Sequence, residues 1–325
     1  MHRICLLPLL ALPLVAQPRP AAGARGGAVA AAEGASGRPR AFAWGEGVEL
    51  DGRPIASGHY GRGGCLADWN GDGQLDLLLN ELPAGRADGS PGSLVALLAP
   101  GWRRELIDTG ASFRDCLGLT LFGRRGLLVT HLQMQLRFYE RAAGNAAARY
   151  REIYSIYTPS AQSGLALADV DGDGRTDILH GNYWLRAPER FELGWRLFAL
   201  NTWFEQPRSA MLRIVATRVR GKLVAVEAES EASPARFSWF AVPADPSQQW
   251  IGHEIAVPGG LHNPHVLTGT ATPGVVVVGE DNGPGSRLLR VTLPDAGGAA
   301  TVVEIGRSAG YLAVGPGGTP AVVRK

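Results

Sequence analysis

The sequence is poor in lysine, in cysteine and in net charge. Its 32 basic and 30 acidic side chains leave a net charge of +2 at pH 7, and only Lys222 and Lys325 among the basic residues are lysine. A protein that binds nucleic acid through its surface charge concentrates positive charge well beyond this balance. The composition therefore argues against a nucleic-acid partner, and the excess of arginine, alanine and glycine indicates genome composition.

Long apolar runs are also scarce. One lies within residues 1–16, where Arg3 precedes an apolar stretch from Ile4 to Ala16 that is followed by small residues. This arrangement is typical of a secretory signal peptide and is short for a membrane span, although an uncleaved anchor is the alternative. We expect a signal peptide over residues 1–24, a secreted, periplasmic or cell-envelope protein, and no transmembrane span in the mature chain.

Residues 25–40 are rich in Ala, Gly, Pro and Arg and lack a periodic apolar pattern. They are interpreted as a flexible linker outside the fold. The remaining residues, 41–325, are long enough for a single large all-β domain. We expect this domain to be a monomer.

An internal repeat runs through residues 41–325. Each copy has a short segment containing a leucine, then a polar loop and a second apolar run. The leucines are Leu66, Leu117, Leu167, Leu212, Leu267 and Leu312, at spacings of 51, 50, 45, 55 and 45 residues. The second runs are rich in leucine and β-branched residues, which favours strands.

A repeat of this length with several short strands is the size of one four-stranded blade of a β-propeller. The sequence predicts an all-β propeller with six blades, or seven if one repeat has eroded past recognition. The last copy, residues 308–325, holds only two strands. We expect the segment Ala41–Ala56 to supply the outer strands of that blade, which closes the ring and removes open sheet edges.

The mature chain keeps Cys65 and Cys116, because Cys5 leaves with the signal peptide. Export makes a disulfide chemically possible. The two cysteines occupy equivalent positions in neighbouring repeats, so a bridge is plausible. The sequence leaves open whether the distance between such positions is short enough to close it.

Two of the six loops carry dense acidic patterns. The loop from Asp68 to Asp76 reads Asp-Trp-Asn-Gly-Asp-Gly-Gln-Leu-Asp, and the loop from Asp169 to Asp177 reads Asp-Val-Asp-Gly-Asp-Gly-Arg-Thr-Asp. Oxygen ligands fall at positions 1, 3, 5 and 9, and position 7 offers a backbone carbonyl, as suits Ca²⁺. An EF-hand needs Glu at position 12 and flanking helices, which this sequence does not provide.

These loops resemble those of the FG-GAP/VCBS repeat family of β-propellers, whose integrin-α-like blades bind Ca²⁺ between their first two strands. The resemblance is strong over the two nine-residue loops and rests on the repeat spacing elsewhere. It implies two structural calcium sites. Their ligands would be Asp68, Asn70, Asp72, Gln74 and Asp76 in the first loop, and Asp169, Asp171, Asp173, Arg175 and Asp177 in the second.

Propeller topology places the acidic loops on one face and the starts of the inner strands on the other. Five of the six histidines that remain after signal removal fall on this second face, with aromatic and acidic residues. Such a set is typical of a ligand-binding or catalytic site, although loop ends are polar in any protein. The ligand-binding candidates are His59, His131, His180, Asn182, Tyr183, Trp184, His262, His265, Glu280 and Asp281.

The segment from His180 to Pro188 is similar to a stretch of the aldos-2-ulose dehydratase group of sugar-acting propellers. This resemblance implies that Tyr183 and Trp184 stack on a sugar ring; the alternative is that the two rings pack between blades. The histidines His59, His262 and His265 could together hold Zn²⁺.

We expect an exported calcium-binding propeller that acts as a binding module for a protein or carbohydrate, as the fold family implies. The alternatives are a metal-assisted sugar lyase or isomerase at the histidine-rich face and a purely structural envelope component. The sequence contains no Gly-x-Ser-x-Gly elbow, phosphate loop or dinucleotide fingerprint, so it assigns no catalytic residue.

Overall fold

The structure is a computed structural model that describes residues 28–33, 39–131, 134–142, 148–156, 163–201, 211–230, 232–280, 285–295, 298–308, 311–314 and 320–323. These residues form 24 β-strands. Within these ranges there is no helix long and apolar enough to cross a membrane.

Five four-stranded antiparallel units follow one another along the chain and are termed blades 1 to 5. Blade 1 contains β3 (Arg53–Ala67), β4 (Asp76–Glu81), β5 (Gly92–Leu98) and β6 (Arg103–Ala111). Blade 2 contains β7 (Phe113–Leu121), β8 (Arg124–His131), β9 (Met134–Glu140) and β10 (Arg149–Ile156). Blade 3 contains β11 (Leu165–Ala168), β12 (Asp177–His180), β13 (Tyr183–Arg186) and β14 (Arg196–Ala199). Blade 4 contains β15 (Met211–Val219), β16 (Lys222–Ser230), β17 (Phe237–Ala241) and β18 (Gly252–Glu254), and blade 5 contains β19 (Pro264–Gly269), β20 (Val275–Glu280), β21 (Ser286–Thr292) and β22 (Thr301–Ser308).

The first strand of each blade lies on the inside of a ring. Strands pair in sequence order within a blade, and the first strands of neighbouring blades approach one another, from β3 to β7, β11, β15 and β19. This arrangement is a β-propeller of four-stranded blades, which confirms the predicted fold class.

The blades pack through apolar side chains that alternate along the second strands. In blade 1, Leu78 packs in the core shared with blade 2, whereas Leu77 and Leu79 pack on the opposite side against the N-terminal strands. In blade 3, Ile178 faces blade 2 and Leu179 faces blade 4. Because successive side chains of a strand point to opposite faces, an uninterrupted apolar run serves both neighbouring blades.

The first and last described strands lie between blades 5 and 1. The strand β1 (Ala28–Glu33) pairs with β2 (Pro39–Leu50), and β2 pairs with the first part of β3. The hairpin of β23 (Tyr311–Val314) and β24 (Pro320–Val323) lies beside β1 and β2. The described residues thus form five blades and not the predicted six, because β1 and β2 extend the sheet of blade 1 and the hairpin of β23 and β24 is a separate two-stranded sheet. The N-terminal strands nevertheless lie at the closure of the ring, beside the last hairpin.

The interpretation of residues 25–40 as a linker outside the fold is wrong for Ala28–Glu33. These residues form β1 and pair along their whole length with Pro39–Trp44 of β2. The segment is rich in alanine and lacks alternation, so its pattern gives no strand signal, and the pairing partner decides its conformation. The predicted signal peptide, residues 1–24, lies outside the described residues.

Candidate functional site

The two acidic loops connect the first and second strands of blades 1 and 3. Residues 68–75 join β3 to β4, and residues 169–176 join β11 to β12. The glycines at positions 4 and 6 of each loop have φ between 75° and 88°, a left-handed conformation that residues with a Cβ seldom adopt. Each loop can therefore curl its side-chain oxygens towards a common centre.

The loops repeat the same hydrogen bonds. The first aspartates, Asp68 and Asp169, each accept a hydrogen bond from the backbone N–H of the position-6 glycine, at 2.9 Å and 3.0 Å. The last aspartates hold the start of the loop, since Asp76 accepts from Trp69 N at 3.0 Å and Asp177 accepts from Val170 N at 3.1 Å. Burial raises the pKa of Asp76 and of Asp177, although backbone hydrogen bonds oppose this rise.

The second loop brings three carboxylates together. Oxygens of Asp169, Asp171 and Asp177 lie within 4.8 Å of one another, and no other group of three such ligands occurs in the described ranges. Asp169 Oδ1 and Asp171 Oδ2 are buried and have no hydrogen-bond partner. Arg186 Nε lies 2.6 Å from Asp171 Oδ2 but is misaligned for a hydrogen bond. Hard oxygen donors with unmet acceptor capacity fit Ca²⁺, so the residues present suit the metal.

An arginine also lies against the acids of the first loop, and here it comes from the next blade. Arg125, in the β7–β8 hairpin, donates to the backbone oxygen of Asp68 and lies 2.7 Å from Asp68 Oδ2. Asn70 Nδ2 donates to Asp72 Oδ2 at 2.8 Å. Asn70 replaces the acid that Asp171 provides in the second loop, so no group of three close carboxylates forms here. The positive charge of Arg125 offsets part of the repulsion between the acids that are present.

Two of the candidate histidines are buried between blades. His180 is fully buried in blade 3, and its Nε2 lies 3.0 Å from Thr130 Oγ1 of blade 2. His131 packs on Phe113, and its Nε2 lies 3.1 Å from the Tyr139 hydroxyl. Burial lowers the pKa of both histidines to about 3, and the Arg137 guanidinium adds to this effect at His131.

Two further histidines make separate local contacts. His59 Nδ1 lies 2.7 Å from Glu46 Oε1 of β2, and its Nε2 lies 2.8 Å from the Arg86 carbonyl. His262 Nδ1 lies 2.8 Å from Ser233 Oγ. The described residues contain no histidine group that could hold a metal ion, so the structure does not gather the Zn²⁺ site that the sequence suggested.

The aromatic candidates are core residues. Tyr183 is buried between blades 2 and 3, and Trp184 is buried between blades 3 and 4 with its ring stacked on Phe198 at 4.7 Å. Neither ring is exposed for stacking on a sugar, which agrees with the alternative that they pack between blades. The sequence alone could not distinguish the two roles, because an aromatic pair on a strand suits both packing between blades and stacking on a sugar.

The remaining candidates also have structural partners, where they are described. Asn182 is buried, and its Nδ2 donates to the Asn201 carbonyl. Glu280 is buried, lies 2.5 Å from Arg287 and accepts a hydrogen bond from His262 N. Asp281 lies outside the described residues.

One candidate lines a cavity on the propeller axis. The cavity has a volume of about 210 Å³ and opens among the inner strands of blades 2 to 5, at the end opposite the acidic loops. It is lined by Asp115, Gly164, Leu165, Arg213, Ile214, His265, Val266 and Leu267. Arg213 Nη1 lies 3.4 Å from Asp115 Oδ2, which links blade 4 to blade 2 across the axis.

Arg213 was not among the sequence candidates because the repeat of blade 4 is misaligned. Ile214 lines the cavity beside Leu165 and His265, so Ala216, and not Leu212, corresponds to Leu167 and Leu267. The spacings of 45 and 55 residues then become 216 − 167 = 49 and 267 − 216 = 51. The sequence signal that could have corrected the alignment of blade 4 was this more regular spacing of the repeats.

The chain matches no protein-family model and no curated protein. Two solved structures of Aleuria aurantia lectin resemble it in overall fold. A mutant in complex with α-methyl-L-fucoside has 10% identity and a TM-score of 0.49, and the match covers 91% of this chain and 96% of the lectin. A structure described as a six-bladed β-propeller with a novel fucose recognition mode has 11% identity and a TM-score of 0.47, over 91% and 97% of the two chains. TM-scores below 0.5 mark a loose similarity that says nothing about the ligand of this chain.

Proposed function

We propose that this chain is an exported, calcium-stabilised β-propeller of the FG-GAP/VCBS type that serves as a carbohydrate-binding module. The observation that carries the calcium part is the close group of Asp169, Asp171 and Asp177, with buried oxygens that lack hydrogen-bond partners. A cation that binds only the folded loop stabilises the fold. The N-terminal pattern of residues 1–16 supports export.

The axial cavity supports the binding part of the proposal. Its walls come from the inner strands of four blades, so its shape is fixed by rigid elements, and charged and apolar side chains share its surface. Ligand sites combine apolar walls with a few convergent polar groups in this way, and a cavity of this size suits one sugar unit of a glycan. A protein partner is the competing outcome.

The experiment is a metal analysis of the secreted mature protein, before and after chelation, with the melting temperature followed in parallel. We expect about two calcium ions per chain and a lower melting temperature after chelation. A glycan array in calcium-containing buffer then tests the binding part. If protein purified in calcium-containing buffer holds no calcium, the calcium part of the proposal is wrong. If the glycan array gives no signal while the protein binds a protein ligand, the carbohydrate part is wrong.

A further inference from the structure

The axial cavity encloses two opposite charges from strands that are far apart in sequence. Asp115 lies at the start of the inner strand of blade 2, and Arg213 lies on that of blade 4, 98 residues later. Their side chains are 14% and 21% exposed, so both have lost most of their water. Because desolvating a charge costs free energy unless hydrogen bonds replace the water, the partners of each group indicate what the cavity is built to hold.

The two charges differ in how well they are satisfied. Asp115 Oδ1 accepts a hydrogen bond from Cys116 N at 2.9 Å, and its Oδ2 accepts one from Gly164 N at 3.0 Å. Among the described residues, Arg213 in contrast makes a single long contact of 3.4 Å through Nη1, and its buried Nε has no hydrogen-bond partner there. A guanidinium has five N–H donors, so those of Arg213 outnumber the acceptors that the described residues bring to them.

The surplus donors favour an anionic group with planar geometry. The two terminal Nη groups of a guanidinium present parallel donors that match the two oxygens of a carboxylate, whereas the buried Nε of Arg213 does not reach the cavity. The volume of about 210 Å³ is several times the roughly 30 Å³ that one water occupies, so it has room for more than the carboxylate itself. Leu165, Ile214 and Val266 supply apolar wall beside the charges.

We infer that the axial cavity binds an acidic sugar unit, a hexuronate, with Arg213 holding the carboxylate and Asp115 accepting from ring hydroxyls. This inference rests on the proposed carbohydrate binding and adds its site and its ligand class. A neutral hexose offers the guanidinium no charged pair of acceptors, so it gains less from this contact than a carboxylate does.

The test measures the affinity of the full mature protein for galacturonate and for galactose by isothermal titration calorimetry at equal ionic strength. We expect galacturonate to bind at least about tenfold more tightly, in keeping with a charge-assisted bidentate contact. The variant Arg213→Gln should lose this preference, and Arg213→Lys should retain part of it because charge remains without the planar fork. The matched control is Arg290→Gln, an exposed arginine on β21, which should leave both affinities unchanged.

The outcomes separate this inference from the proposed function. Equal affinities for galactose and galacturonate, or a preference that survives Arg213→Gln, overturn the inference while carbohydrate binding stands. If neither galactose nor galacturonate binds and the glycan array gives no signal, the proposed carbohydrate binding is overturned as well. If Arg213→Gln does not fold, the comparison of the two sugars on the wild-type chain and on Arg213→Lys decides the question.

Discussion

The Thr130 hydroxyl of blade 2 lies 3.0 Å from Nε2 of His180 in blade 3, and both side chains are fully buried. The contact is a hydrogen bond across the boundary between two blades. A neutral imidazole can both donate and accept, whereas an imidazolium at this site would carry a charge with no acid beside it. The pairing therefore ties the packing of these blades to the protonation state of His180.

We predict that this histidine makes the fold sensitive to acid. Burial lowers the pKa of His180 to about 3 from an ordinary value near 6.5, so the unfolded chain takes up this proton at a higher pH than the folded chain. Stability is complete above about pH 6.5 and decreases as the pH falls towards about 3, at roughly 1.4 kcal/mol per pKa unit. In His180→Gln the loss of melting temperature between pH 7 and pH 4 should be smaller than in the wild type.

The control for this prediction is His253→Gln, because His253 lies on the outer strand β18 of blade 4 and is exposed, with its ring stacked on Trp239. We expect the control to keep the acid sensitivity of the wild type. An identical pH profile for His180→Gln and the wild type would show that the buried imidazole is not responsible.

Glu227 should destabilise the fold at neutral pH. It occupies the place in blade 4 that His180 has in blade 3, since it pairs with Ile214 of the inner strand as His180 pairs with Leu165. It is fully buried and neither oxygen has a hydrogen-bond partner. Burial raises its pKa well above the ordinary value, so only the unfolded chain ionises it readily as the pH rises above about 4.5.

We therefore expect Glu227→Gln to gain melting temperature relative to the wild type as the pH rises from 4 to 8, by about 2–4 °C for each kcal/mol of relief. The matched control is Glu229→Gln. Glu229 is equally buried but lies 2.6 Å from Arg236, so its substitution leaves a buried guanidinium without its acid and should lower the melting temperature. A loss of stability in Glu227→Gln that does not vary with pH would contradict this account.

The disulfide between Cys65 and Cys116 should account for a large part of the stability. It joins the inner strands of blades 1 and 2 and closes a loop with a sequence separation of 51. Restricting the unfolded chain over such a loop corresponds to about 4 kcal/mol. We expect the free energy of unfolding, measured in urea, to be lower by about this amount in the double variant Cys65→Ala, Cys116→Ala. Dithiothreitol should destabilise the wild type but not the variant.

The two calcium loops should differ in affinity. Three acids of the second loop are already grouped, with Arg186 beside one of them, whereas the first loop has Asn70 in place of Asp171 and holds Arg125 against Asp68. Asp171→Asn should abolish the tighter of two calcium-binding steps measured by titration calorimetry. Arg125→Gln should strengthen the weaker step, because it removes the competing charge. Two identical steps in the wild type would contradict this asymmetry.

The Asp-rich loops were readable from sequence because their geometry is local. Nine residues with glycines at fixed positions determine both the turn and the direction of its oxygens, so the pattern needs no distant partner. The period of the repeat likewise predicted the blades, since each blade is one continuous stretch of chain. The exception was blade 4, where Leu212 lies four residues before Ala216, the residue that corresponds to Leu167 of blade 3.

The histidine-rich face was misjudged for a physical reason. Sequence placed His131, His180 and Glu280 at the ends of second strands, which is where they lie. It could not tell whether the side chains point to a solvent-facing surface or into the boundary between blades. A shift of one residue in register reverses that direction.

The sequence by itself determined the repeat, the propeller class and the composition of the acidic loops, because these depend on short stretches of chain and on their period. Only the tertiary structure decided that Cys65 and Cys116 meet, with their Cα atoms 5.5 Å apart, and that Arg213 meets Asp115 across the axis. Cys65 packs towards blade 2 and Cys116 towards blade 1. Such contacts depend on which face of each inner strand a residue occupies once the ring has closed, and that is a property of the packed blades as a whole.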